Sequence, residues 1–337
     1  MTTDIASKHK SAWVRGGTAV SATSASDAAS QAGLNWTVRE GELQAVSTPL
    51  LVDEHGVTPA TYIDVPKKKA IIREDSNSVI GIVGSKYKIV QNMEVFNALD
   101  TLVDSGDARY CAAGEYNNGS NIWMLLEIPQ GVTVANDPHA AFLLVKSSHD
   151  GSSSVVIKPV IERLWCANQV NGLISNRTGN RSHRYNEYTY RMSHTTNQEL
   201  SIKDIRNITQ LTYTAIADYE LVANNLLKNK MTREQTVNFF KRVWALPSTV
   251  EDTPYELLTR GERKQQTIAK EARAKAWAIY NESETQENIR GTAFGAWHAV
   301  VEFADHYATG GAERLAAATL SGRNDKVKTK ALSLLVS

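Results

Sequence analysis

The chain has 337 residues and is 42% hydrophobic, enough for one large domain or two ordinary ones with buried cores. Its 37 basic and 36 acidic side chains leave a net charge of +1, which excludes a polyanionic partner held by overall charge alone. No stretch resembles a signal peptide or approaches the roughly 18 apolar residues that span a bilayer, which predicts a cytoplasmic protein without a membrane partner. Only two cysteines occur, far apart, as expected for reduced thiols.

The N-terminal part of the chain predicts a flexible arm followed by a β-rich core domain. Residues 17–33 are small and polar, so we expect a flexible arm over residues 1–35. Residues 36–198 form the predicted core, which begins with short β-like pieces. Three hairpins follow, because turn-forming DSNS, NNGS and HDGSS each separate two β-rich runs. Between the first two hairpins, MEVFNALDTLVDSG has the apolar spacing of a helix.

Helical periodicity replaces the β pattern after about residue 198. A long amphipathic helix is expected first, and Thr232 with Gln235 then forms a capping-box pattern for a second helix. Two further helices are predicted at about 255–281 and 292–307, which gives a helical region of 199–308 and a C-terminal tail of 309–337. The predicted fold class is therefore α+β, with antiparallel β-hairpins and a packed helix in the N-terminal two thirds and a helical C-terminal region.

The segment RTGNRSHRYNEYTYR, residues 177–191, is strongly basic for a nearly neutral chain. Four arginines and three tyrosines stand against a single acid, Glu187. Arginines contact phosphates and exposed tyrosines stack on unpaired bases, so the segment favours single-stranded nucleic acid. The predicted contacts are Arg177, Arg181, Arg184, Tyr185, Tyr188 and Arg191. In the alternative, Tyr188 and Tyr190 share one face of a strand, pack into the core, and leave the arginines solvated.

Two lysine clusters extend this hypothesis. Lys86 and Lys88 flank Tyr87 after a predicted strand and are added to the nucleic-acid contacts, while residues 67–69 are three lysines in a row. The alternative for 67–69 is edge charge that prevents aggregation. The basic residues of the third predicted helix fit a solvated, salt-bridged face better than a binding surface.

A metal site is the alternative chemistry. His298, Glu302 and His306 have the spacing of one helix face, and His149 and Asp150 lie in the turn of the third hairpin. Such side chains can ligate a divalent metal in a hydrolase, although helix solubility and ordinary turn chemistry explain them as well. The chain has no P-loop motif, and no nucleophile has a base beside it in sequence. Binding without catalysis and without a cofactor is therefore favoured.

Five stretches together resemble the phage/plasmid-like protein family, a domain of unknown function found in phages and mobile elements. They are GIVGSKYKIVQN, SHDGSSSV, ERLWCANQV, SHTTN and GTAFGAWHAVVEFADH, in that order between Trp36 and His306. The resemblance implies a mobile-element setting in a bacterial host cell. The hairpin–helix plan is also similar, as an analogy of fold, to the Rad52-like single-strand annealing proteins.

These features favour one function among three. The first is a homo-oligomeric protein that binds and anneals single-stranded DNA in recombination or replication. The second is a metal-dependent nuclease or hydrolase, and the third is a phage protein that binds host proteins. Neutral overall charge suits the first, because protomers of large like charge would repel one another on assembly.

Overall fold

The computed structural model describes residues 11–53, 56–164, 166–171, 185–186, 188–195, 201–308 and 311–336. The strands, in chain order, are β1 Thr18–Ala19, β2 Val38–Gly41, β3 Gln44–Thr48, β4 Leu51–Asp53, β5 Gly56–Thr58, β6 Thr61–Asp64, β7 Lys68–Arg73, β8 Ser78–Gly84, β9 Arg109–Tyr116, β10 Asn121–Val134, β11 Asp137–Ser148, β12 Val155–Arg163, β13 Asn168–Asn171, β14 Tyr185–Asn186 and β15 Thr189–Met192. The helices are α1 Ala12–Gly16, α2 Ala25–Gln31, α3 Asn92–Phe96, α4 Asp100–Asp104, α5 Ile202–Lys228, α6 Arg233–Val243, α7 Ser248–Glu251, α8 Arg260–Glu282, α9 Ala293–Glu302, α10 Ala312–Ser321 and α11 Asp325–Val336. The α+β prediction is confirmed.

A central antiparallel sheet organises the molecule. Its strand order is β1-β9-β10-β11-β12-β15-β14, and β13 also pairs with β12. One edge of β12 is shared, since Val155–Ile157 pair with β15 whereas Val160–Arg163 pair with β13. The predicted hairpins are present as β7–β8, β9–β10 and β11–β12. The tight β9–β10 turn contains Asn117 and Asn118 at positive φ, a conformation that asparagine adopts more readily than most residues.

The first face of the sheet is covered by the long helix α5. Leu126, Leu143 and Ile157 from the strands share one hydrophobic core with Ile208 and Ile216 of α5. The amphipathic period read from the sequence therefore corresponds to a buried stripe on α5. The Thr232–Gln235 capping box at the start of α6 is also confirmed.

The second face of the sheet is covered by the N-terminal helix α1 and the C-terminal helix α10. Trp123 and Leu125 point to this face because they alternate with the core residues of the first face. The rings of Trp13 in α1 and Trp123 lie 5.5 Å apart. Gly17 permits this approach, since a Cβ there would fall 2.3 Å from the Trp123 ring.

The predictions for both chain ends need correction. Residues 11–35 were expected in a flexible arm, but β1 joins the central sheet and the small side chains of α2, Ala25, Ala28 and Ala29, are fully buried. Residues 311–336, expected in a tail, form α10 and α11, where Ala331 and Leu332 are buried. Small residues allow close backbone approach, so a composition that suggested disorder instead serves packing.

One hairpin lies outside this core. We call residues 42–65 the outer hairpin, in which β3 pairs with β6 and β4 with β5. Its strand residues are exposed on both faces wherever their burial is described, apart from a half-buried Thr48. Among the described residues, no helix is long and apolar enough to cross a membrane.

Candidate nucleic-acid interface

A row of side chains crosses the second face of the sheet. Lys146 of β11 pairs with Val156 of β12, and Val156 pairs on its other side with Arg191 of β15. Residues directly opposite in antiparallel strands point to the same face, and so does Lys158, two positions beyond Val156. Three cationic side chains from three strands therefore meet on the face that α10 covers only in part.

The turn between α10 and α11 forms the opposite wall. Lys146 Nζ donates a 3.0 Å hydrogen bond to the Ser321 carbonyl at the C-terminal end of α10, where the helix dipole favours a cation. Lys158 Nζ donates to Asp325 Oδ2 at 3.1 Å. Gly322 ends α10 in the left-handed conformation at φ 78°, which suits glycine. Exposed Arg323 follows and adds a fourth cation.

The cavity at this place has a volume of about 500 Å³ and adjoins a second cavity of about 410 Å³. Tyr116, Asn117 and Ala317 line both, and we call the two together the sheet groove. The second cavity adds Arg15 and Arg314, so six cationic side chains line the groove against two acids, Glu115 and Asp325.

Both acids are already engaged. Glu115 accepts two 2.9 Å hydrogen bonds from the Arg73 guanidinium, and Asp325 pairs with Lys158. The groove therefore presents an excess of positive charge, although the whole chain is nearly neutral. Polar Ser152 and Ser153 from the β11–β12 turn complete one side of the larger cavity.

Lys146 is the most perturbed cation of the groove. The pKa of Lys146 is lowered to about 8, first by burial and then by the neighbouring charges of Lys158 and Arg191, while Asp325 acts in the opposite direction. An anion placed among these three side chains would favour the charged form of Lys146. The low pKa therefore reflects burial first and the neighbouring positive charges second.

The predicted basic segment contributes to the groove through its last residue. Arg191 is exposed and lines the larger cavity. Arg177, Arg181 and Arg184 lie outside the described residues, as does the side chain of Tyr185. They stay predictions.

The tyrosine prediction is corrected in part. Tyr190 is buried and belongs to the first-face core, and half-buried Tyr188 packs against that core. The Tyr188 hydroxyl donates to Asp218 of α5. Tyr188 is therefore tied to the long helix, as in the alternative of a strand whose tyrosines alternate into the core, and is not an exposed stacking surface.

Lys86 and Lys88 lie near the end of β15 but outside the sheet groove. Both are exposed, and the Lys88 amide donates to the His194 carbonyl just beyond β15. Buried Tyr87 stacks on the His194 ring at 4.7 Å and donates to the Ser148 carbonyl at 2.7 Å. The Lys67 carbonyl accepts from the Ser85 amide, so the two lysine clusters lie close to each other.

The residues of the alternative metal set contact separate partners. His149 Nε2 lies 2.8 Å from Asn92 Oδ1, and Asp150 accepts from the Ser152 amide. His298 Nε2 lies 3.4 Å from the Tyr219 hydroxyl, and Glu302 accepts from Thr285 at 2.6 Å. His306 lies in the π-helical turn Phe303–Tyr307. Within the described part of the chain, no three His, Cys, Asp or Glu side chains are grouped so that they could hold a metal ion.

The basic third helix, α8, is salt-bridged in part, through Arg273. Arg273 donates to both oxygens of Glu251, at 2.6 and 2.9 Å, and Arg263 donates to the Leu258 carbonyl. The groove residues Lys146 and Lys158 were missed from the sequence because each lies inside a β-rich, largely apolar strand. A lysine in such a strand was the available signal, since lysine is seldom buried without a partner.

Comparison with known proteins gave one match. Residues 79–333 match the profile of a family described as Domain of unknown function (DUF932). No curated protein and no solved structure matches the chain. The matched residues include every strand that contributes to the groove and end within α11.

Proposed function

The chain belongs to the DUF932 family, a domain of unknown function, and we propose that it binds single-stranded DNA in the sheet groove. We further propose that it anneals strands as a homo-oligomer in the recombination or replication of a phage or mobile element. The resemblance of its motifs to phage/plasmid-like proteins supports that setting.

The observation that carries the proposal is the common face of Lys146, Lys158 and Arg191. Exposed Arg191 and half-buried Lys146 can contact the spaced negative charges of a phosphodiester backbone, whereas buried Lys158 is paired with Asp325. Arginine binds phosphate oxygens through bidentate hydrogen bonds, and lysine binds them as a point charge. Exposed Arg314 in the adjoining cavity allows contact with a further phosphate along the strand, whereas the Arg15 guanidinium donates to the Asp305 carbonyl.

Tyr116 supports a single strand over a duplex. It is half-buried and lines both cavities, so it lies where the two cavities adjoin. Unpaired bases stack on tyrosine with a gain of about 1–3 kcal/mol each, whereas paired bases are already stacked. A strand held along the groove by its phosphates would have a base in reach of this ring.

The mechanism needs no cofactor. Phosphates would bind in the groove, bases beyond the stacked one would face a complementary strand, and neighbouring protomers would extend the positive path. Association would be fast and salt-dependent, because counterions released on binding are regained at high salt.

The test is binding to labelled single-stranded and duplex oligonucleotides over a salt series, with and without chelator. We expect tighter binding to the single strand, undiminished by chelation and weakened by salt. No binding of either form at low salt would contradict the proposal. Loss of binding or of strand cleavage on chelation would favour the metal-dependent hydrolase instead.

A further inference from the structure

The outer hairpin, residues 42–65, exposes apolar side chains on both faces. Val46, Tyr62 and Ile63 are 59%, 60% and 58% exposed, and adjacent Tyr62 and Ile63 point to opposite faces of the hairpin. Val52 and Val57 near its far end are 72% and 66% exposed. A two-stranded hairpin is marginally stable alone in water, and contiguous exposed apolar surface marks an interaction site.

The charge of the outer hairpin restricts what can cover it. Residues 42–65 contain four acidic side chains and neither lysine nor arginine. A nucleic acid or an anionic membrane would be repelled. Two outer hairpins packed against each other would also bring like charges together, so a symmetric pairing of hairpins is disfavoured.

A surface of opposite charge exists elsewhere on the same chain. Leu257 and Ile268 are 76% and 50% exposed, and Arg260 and Lys264 are exposed beside them. Arg260, Lys264 and Ile268 are spaced by four residues, which aligns them on one face of α8. With Tyr255, 49% exposed, they form what we call the α8 patch.

The α8 patch is basic as well as apolar. Between Tyr255 and Lys275 there are six basic and three acidic side chains. Arg273 among the basic ones is paired with Glu251, and Glu262 among the acidic ones caps α8 at Thr259. The α8 patch, an apolar surface bordered by positive charge, complements the outer hairpin, an apolar surface bordered by negative charge. Such complementarity favours both affinity and specificity.

We propose that the outer hairpin of one copy docks on the α8 patch of a second copy of this chain. In this proposal the contact is head-to-tail and repeats from copy to copy into a ring or a filament, which two different surfaces permit. It would supply the protomer array that the proposed annealing function needs. It also stands apart from that function, because assembly is measured without DNA.

The test is a charge swap followed by sedimentation velocity of the full chain, without DNA, up to roughly 100 µM, where even weak self-association is visible. One variant carries Glu42→Lys with Asp64→Lys, and the other carries Arg260→Glu with Lys264→Glu. All four positions are exposed, and acids near the start of α8 favour its helix dipole, so both variants should fold. A control pair, Glu220→Lys with Glu287→Lys, makes the same charge change at other exposed acids.

We expect the wild type and the control to form oligomers and each swapped variant alone to associate at least about tenfold more weakly, a loss of about 1.4 kcal/mol. A mixture of the two variants should recover assembly, because each then offers the surface that the other lacks. A monomeric wild type, unchanged assembly of either variant, or a mixture that stays dissociated would each overturn the proposal. If the wild type assembles but does not bind DNA, the result would contradict DNA binding in the sheet groove and leave the assembly proposal standing.

Discussion

Lys146 and Arg191 lie in one cross-strand row, with Val156 of the intervening strand between them. The row continues on the other side to Trp123, which pairs with Lys146 and packs against Trp13. The second face of the sheet thus changes along a single row from a tryptophan cluster under α1 to an open basic groove. Helix α10 ends at this boundary and leaves Arg191 and Arg323 exposed and Lys146 half-buried, whereas Lys158 is buried.

The low pKa of Lys146 predicts a pH dependence of DNA binding. Because burial lowers this pKa to about 8, Lys146 is charged at pH 7 and loses its proton as the pH rises through 8. Affinity for a single-stranded oligonucleotide should fall between pH 7 and pH 9. The Lys146→Arg variant should bind with a flatter profile, because arginine keeps its charge in this range. Parallel profiles for the two proteins would show that Lys146 does not contact the strand.

Tyr116 should contribute through its ring and not through its hydroxyl. Replacement by leucine removes a stacking surface worth about 1–3 kcal/mol, so the affinity should fall roughly five- to 150-fold. Tyr116→Phe is the matched control and should bind nearly as wild type. Fluorescence anisotropy with one labelled oligonucleotide measures all three proteins. Equal loss in both variants would assign the effect to the hydroxyl or to a fold change.

The buried ion pair between Arg163 and Asp137 should be important for stability. Both side chains are buried and their charged atoms lie 2.5 Å apart. Arg163→Met leaves the Asp137 carboxylate without its partner and should lower the free energy of unfolding by about 3–5 kcal/mol. Exposed Arg206 on α5 provides the control. Arg206→Met should change the free energy of unfolding by less than about 0.5 kcal/mol. Urea denaturation provides the comparison, and similar values for the two variants would contradict this role.

Glu162 predicts a pH dependence of stability. Burial raises the pKa of its carboxyl group to about 7, against 4.5 for an accessible glutamate. The unfolded chain therefore ionises first, and this group's contribution to stability is lost as the pH rises from about 4.5 through 7. Glu162→Gln should remove that loss and leave the variant relatively more stable at pH 8 than at pH 4.5. Thermal melts at both pH values test this, and a constant difference between variant and wild type would contradict it.

The hairpins and long helices could be predicted because their signals are local. Asn117 and Asn118 adopt the positive φ that their turn requires, and Thr232 caps α6 with the side-chain oxygen that suggested it. The packing of the N-terminal segment could not be predicted, because its alanines are buried by close approach to residues far along the chain. Ala25, for example, donates its amide to Asp100. Composition does not record such contacts.

Only part of the candidate site could be predicted, because contacts between distant strands are not visible in the sequence. Arg191 was found from local charge, whereas Lys146 and Lys158 join it only through strand pairing, which sequence periodicity does not specify. Tyr188 had two interpretations of similar weight, and its bond to Asp218 favours the one in which it packs inward. Alternation within a strand gives the face of each residue, but the register between strands decides which cations meet.

The central claim is most directly tested by removing the two cations of the row together. A labelled single strand is titrated with wild type, with Lys146→Gln and Arg191→Gln combined, and with a control that combines Lys241→Gln and Arg242→Gln at exposed positions of α6. We predict that only the groove variant binds at least about tenfold more weakly, and that its slope of log K against log salt becomes shallower by about 1.4, the value for two lost phosphate contacts on a single strand. Equal affinity and equal slope for the groove variant and wild type would contradict the claim that DNA binds in the sheet groove.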